Sequence, residues 1–128
     1  MPLTGFQILV IEDVDDVLDV AVMLLRIEGA EVAGARTGHE GLALFRSRHF
    51  DVVVSDLRLP DISGDAMIRT LIGAARRPVK VVVISGESQR GLTRAVEAGA
   101  AVAFAKPCDW DSVVRYLESL HRSRPPVG

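Results

Sequence analysis

The sequence predicts an α/β domain in which five parallel strands alternate with five helices. Three observations carry that prediction. Short, nearly unbroken apolar runs recur along the chain, most of them rich in Val and Ile; segments with helical apolar spacing separate them; and capping residues and glycines mark the switches. The 128 residues suit one domain. A composition of 48% hydrophobic and 25% charged residues is ordinary for a folded globular chain and argues against disorder.

Each element follows in order. The run Phe6–Ile11 reads as the first strand, buried on both faces. The first helix sets Val17, Ala21, Leu24 and Leu25 on one side, and Gly29 suits its C-terminal cap. The weaker run Glu31–Ala35 is the second strand. Thr37-Gly38-His39-Glu40 then forms a capping box, with Glu40 reaching back, before a helix that turns Leu42 and Phe45 inward. Val52–Val54 is the third strand, and Ser63 caps a helix carrying Met67, Leu71 and Ile72. Val79–Ile84 is the fourth strand, followed by a helix with Leu92, Ala95 and Val96 that stops at Gly99. Val102–Ala105 is the fifth strand, and Asp109 caps a last helix with Val113, Leu117 and Leu120 inward. The expected domain spans residues 1–121, and 122–128, with Pro125-Pro126, is expected to be a flexible C-terminal tail.

Strict strand–helix alternation implies a parallel sheet with helices on both faces and right-handed crossovers. Five such units fit a flavodoxin-like (βα)5 three-layer sandwich with strand order 2-1-3-4-5. In that topology a site forms beyond the carboxyl ends of strands 1 and 3, where the strand order reverses.

Composition excludes several classes. No apolar stretch reaches the roughly 18 residues a membrane helix needs. The N-terminus lacks a secretory signal pattern. A net charge of −2 is not the footprint of a nucleic-acid-binding domain. Cys108 is the single cysteine, so no internal disulfide is possible and a cytoplasmic location is expected.

The predicted carboxyl edge collects Glu12-Asp13 after strand 1, Asp56 after strand 3, Ser85 after strand 4 and Lys106 after strand 5. Three converging carboxylates repel. Two unit charges about 4 Å apart cost about 4 kcal/mol at an effective dielectric of 20. A hard divalent cation with oxygen ligands offsets that cost, and Mg²⁺ fits best, with Mn²⁺ as the alternative. A carboxylate nucleophile, a metal, a lysine and a hydroxyl together suit phosphoryl transfer through an aspartyl phosphate.

With these residues in view, the chain resembles the receiver domain of bacterial two-component response regulators. The matching stretches are Ile8–Asp13, Asp56–Gly64, Ser85-Gly86 and Lys106-Pro107, in order and each at a predicted strand end. The resemblance implies that Asp56 is the phosphoacceptor. It implies that Glu12, Asp13, Asp56 and the main-chain carbonyl of Arg58 hold the metal, and that Ser85 and Lys106 contact the phosphoryl group. It also implies a cis Lys106–Pro107 bond, a sensor histidine kinase or histidine phosphotransfer protein as donor, and self-catalysed phosphorylation rather than enzymatic turnover. No nucleic acid or membrane partner is expected, and the downstream protein is unidentified. After Lys106 the chain is too short for a helix-turn-helix, so a stand-alone receiver, or one excised from a hybrid kinase, is expected. Alternative readings are an interaction module acting without phosphorylation, a phosphate sink, a flavin carrier and an Asp-nucleophile phosphatase. The acidic loop after strand 1 would repel a flavin phosphate, and the phosphatase would need its nucleophile there.

Three finer expectations follow. On helix 1, Val17, Val20, Ala21 and Leu24 form the expected inward stripe, and Val14, Leu18 and Val22 a second, exposed ridge that docks the phosphodonor. Arg58 and Glu87 face one another across the site's rim and are expected to pair. Ala103 stands where receivers usually carry an aromatic switch residue, and strand alternation points Phe104 to the other face.

Overall fold

The computed structural model describes residues 1–123. The elements are β1 (Gln7–Ile11), α1 (Asp15–Ile27), β2 (Glu31–Ala35), α2 (Gly38–Ser47), β3 (Val52–Ser55), α3 (Gly64–Ala74), β4 (Lys80–Ser85), α4 (Gln89–Glu97), β5 (Val102–Ala105) and α5 (Trp110–Ser123). The strands form one sheet in the order β2-β1-β3-β4-β5, and every pairing is parallel. Strand ends agree with the sequence reading to within one residue. Helix α5 runs on through Arg122 and Ser123, so these two residues of the expected tail are helical; 124–128 lie outside the described residues.

Alternation along the strands builds two cores. Ile8, Val10, Val52, Val54 and Val82 face α1 and α5, whereas Leu9, Ile11, Val53, Val81 and Val83 face α2, α3 and α4. Both sheet faces are covered, which is why these strands read as unbroken apolar runs.

The caps follow the sequence with one change. Thr37 Oγ1 accepts from the Glu40 N–H and Ser63 Oγ from the Ala66 N–H, while the Glu40 carboxylate accepts from the Arg36 N–H rather than closing on Thr37. Ser88 caps α4 in the same way, through the Gly91 N–H. α1 and α4 both end in Schellman motifs: Gly29 and Gly99, at φ 99° and 122°, donate to Arg26 and Val96, and the next residues donate to Leu25 and Ala95.

Helix α1 is rotated from its expected setting. Leu18, Ala21 and Leu25 are buried, and Val22 packs against the same core. Val17 and Val20, expected inward, are 39% and 45% exposed. Of the expected docking ridge only Val14 is exposed, at 50%; Leu18 is buried and Val22 half-buried. The cause lies in β2. Gly34 leaves room above the sheet, and a Cβ added there would stand 3.2 Å from Leu18 and 3.4 Å from Val22. Those two side chains fill that space and set the helix phase. Ile72 and Val96, read as inward, are also exposed, whereas Met67, Leu71, Leu92 and Ala95 are buried as expected.

Candidate functional site

The register brings the predicted edge together. β1 lies between β2 and β3, so Glu12 and Asp13 leave the sheet beside Asp56. Backbone bonds continue past the strands: the Asp56 N–H donates to Ile11, the Glu12 N–H to Ala35, and the Lys106 N–H to Ser85. These extensions hold the candidate residues at the sheet's end rather than in free loops. Glu12, Asp13 and Asp56 each offer a carboxylate oxygen, all within 4.8 Å of one another. Glu12 and Asp56 are 5% and 9% exposed, and Asp13 faces solvent.

Lys106 reaches in from β5. Its Nζ stands 2.8 Å from Glu12 Oε1 and 3.0 Å from Asp56 Oδ2. The Lys106–Pro107 peptide is cis, as the resemblance implied. Burial pushes the Glu12 carboxyl above the usual carboxylate range, against the pull of Lys106. Burial also works to lower the Lys106 ammonium, but hydrogen bonds to Glu12 and Asp56 outweigh it and raise the group. The other Asp56 oxygen accepts from the Arg58 N–H at 3.0 Å. Arg58 in turn bridges to Ser63, which steadies the loop carrying its carbonyl. Ser85 is fully buried at the end of β4, where its hydroxyl accepts from the Glu87 N–H at 3.3 Å.

A cavity of about 500 Å³ opens beside this cluster, walled by Val17, Pro107, Cys108 and Trp110 and reaching Glu12, Asp56 and Lys106. Cys108 is half-buried there, and burial pushes its thiol up. In the loops after β3 and β4, Arg58 Nε meets Glu87 Oε1 at 3.0 Å, the pairing the sequence predicted. Ala103 packs on the α2–α4 side of the sheet, whereas Phe104 turns to the α1–α5 side and meets Tyr116 edge-on at 6.1 Å.

Sequence reasoning missed the role of Asp61. Its carboxylate oxygens each accept, at 2.8 Å, from the Gly38 and His39 N–H groups, and one also pairs with the His39 ring. With Thr37 on the Glu40 N–H, the first three amides of α2 are satisfied. Gly38 is needed for this close approach, since a Cβ there would fall 2.1 Å from Ile62. Asp61-Ile62-Ser63-Gly64 after the Asp56 loop was the available signal, but its partner lay a helix away.

A parallel (βα)5 sheet with an acidic pocket at its switch point defines a class of signalling domain. The response regulator receiver domain family matches residues 8–118, and the chain belongs to that family and so to two-component signalling. It is 40% identical over 104 residues to protein-glutamate methylesterase/protein-glutamine glutaminase 6 of Anaeromyxobacter dehalogenans, covering 79% of this chain and 29% of that protein. The chain spans between about a quarter and a half of the curated relatives it matches. Among solved structures, the non-phosphorylated HemR receiver domain of Leptospira biflexa superposes with a TM-score of 0.85 at 26% identity, covering 97% of this chain and 100% of that one. A response regulator protein of Burkholderia pseudomallei, solved with a phosphorylated aspartic acid, calcium ion and citrate, gives 0.81 at 25% identity, over 93% and 72%. Among the described residues no helix is long and apolar enough to cross a membrane.

Proposed function

We propose that Asp56 accepts a phosphoryl group from a histidine phosphodonor and that the added charge switches binding of a downstream protein. The convergence of Glu12, Asp13 and Asp56 within 4.8 Å, with Lys106 on two of them, carries this reading. A carboxylate oxygen of Asp56 attacks phosphorus. The P–N bond of the phosphohistidine breaks, and its electron pair returns to the imidazole, which leaves with a proton. Lys106, anchored by Glu12, is placed to follow the charge from carboxylate to phosphoryl oxygen. The Ser85 hydroxyl supplies a further donor at the same edge. The Arg58 N–H orients the carboxylate before attack.

The donor set is all hard oxygen, which fits Mg²⁺ or Mn²⁺. Glu12, Asp13, Asp56 and the Arg58 carbonyl would hold the ion, which when bound neutralises phosphoryl oxygens. The protein then modifies itself and turns over no other substrate. A sensor histidine kinase or a histidine phosphotransfer protein fits as donor, docking on Val14 and Val17, exposed apolar residues at the N-terminal end of α1. The Burkholderia pseudomallei relative with its phosphorylated aspartic acid supports the same chemistry here.

Ala103 favours a second reading of the output. With no ring there to swing inward, phosphorylation is relayed or drained, or signals through α4, without the usual strand 5 rearrangement. Amide shifts with and without a phosphoryl mimic test this; a response centred on β5 and α5 removes it.

The principal test is acetyl phosphate with and without Mg²⁺, read by mass spectrometry on wild type and Asp56→Asn. One added phosphoryl group in metal-loaded wild type alone is expected. Labelling of Asp56→Asn overturns the assignment.

A further inference from the structure

We propose that the opposite edge of the sheet holds a second anion site, a cleft for a compact oligophosphate. The end of α2 and its exit loop contribute Arg46 and Arg48, and the turn after α3 contributes Arg76 and Arg77. These four line one cleft of about 540 Å³, within the range of small-ligand sites. The cleft lies at the amino ends of β3 and β4, whereas Asp56 follows the carboxyl end of β3. The four-residue β3 separates the two edges by roughly 13 Å.

The charge at this edge is unbalanced. None of the four arginines forms a salt bridge among the described residues. Asp51, close by in the chain, is engaged by the Gln7 N–H at 2.8 Å and by His49 at 3.0 Å. Glu31 and Arg48 both line a separate hollow, with no salt bridge between them among the described residues. Two helix C-termini end here, and each presents about half a negative charge. Together they offset about one of the four positive charges. The Arg48 guanidinium is set in place over the Phe50 ring at 4.8 Å.

Guanidinium forks match phosphate oxygens in bidentate pairs, and four from two loops suit linked phosphates better than a single one. A net charge of −2 and a bounded cleft, rather than a basic stripe, favour a small polyanion over nucleic acid. Phe45 and Phe50 are buried in the core and His49, the remaining ring of the cleft, is paired with Asp51, so recognition rests on the phosphates.

The test is an amide-shift titration of the whole chain with sodium tripolyphosphate, in the absence of divalent metal. Saturating shifts confined to residues 45–50 and 74–77 are expected. Arg76→Ala/Arg77→Ala and Arg46→Ala/Arg48→Ala should each weaken binding about tenfold or more, as loss of charge-assisted hydrogen bonds implies. A parallel titration with ATP distinguishes sources: equal affinity assigns free oligophosphate, and tighter ATP binding assigns a nucleotide. Absence of shifts in these segments, shifts centred on residues 12, 13 and 56, wild-type affinity in both double variants, or binding of a DNA duplex alone overturns the proposal.

Discussion

Arg58 and Glu87 close a bridge between the loops that follow β3 and β4, Nε to Oε1 at 3.0 Å. One partner follows Asp56 by two residues and the other follows Ser85 by two. The bridge therefore spans the two strand ends between which a phosphoryl group would sit. The Glu87 carboxylate holds the Arg58 guanidinium above its ordinary range.

This bridge should tune access of water to an acyl phosphate. Arg58→Ala is expected to shorten the phosphoryl half-life, by no more than about fivefold because exposed ion pairs are worth at most about 1 kcal/mol. Decay of labelled protein after donor removal measures it. An unchanged half-life removes Arg58 from the mechanism.

Removing one acid should relieve the pocket's repulsion. Asp13 faces solvent, so its repulsion with its neighbours is of the order of 1 kcal/mol. Asp13→Asn is expected to melt higher than wild type in EDTA and to lose the stabilisation that Mg²⁺ gives wild type. Thermal melts with and without metal decide. A full Mg²⁺ response in Asp13→Asn would mean the ion sits elsewhere.

Asp61 should make stability depend on acid. The His39 N–H holds its carboxyl below the ordinary value of 3.8, against the opposing effect of burial and with further help from the Gly38 N–H. A depressed folded value means the contribution is present above 3.8 and is lost as pH falls through the lower, folded value. Asp61→Asn should therefore melt below wild type at pH 7, with the gap closing under acid. A gap that persists at pH 2 contradicts the linkage.

Docking on α1 should separate from chemistry. Val14→Glu places charge on an exposed position beside the pocket but outside its wall. Transfer from a phosphorylated histidine phosphotransfer protein should fall severalfold while labelling by acetyl phosphate is unchanged. Equal loss with both donors would assign Val14 to the pocket itself.

The strands, their order and the acidic cluster were legible in the sequence alone. Unbroken Val-rich runs need burial on both faces, strict alternation leaves few topologies, and the edge rule then gathers residues 12, 13, 56, 85 and 106. Tertiary structure decided what depends on a partner distant in the chain. The phase of α1 could not be read locally, because apolar residues surround much of that helix; the space above Gly34 chose Leu18 and Val22 as the inward pair. Asp61 likewise became a cap only when folding brought Gly38 to it. Arg46, Arg48, Arg76 and Arg77 look like scattered surface charge until two loops, separated in sequence by α3, meet at one end of the sheet.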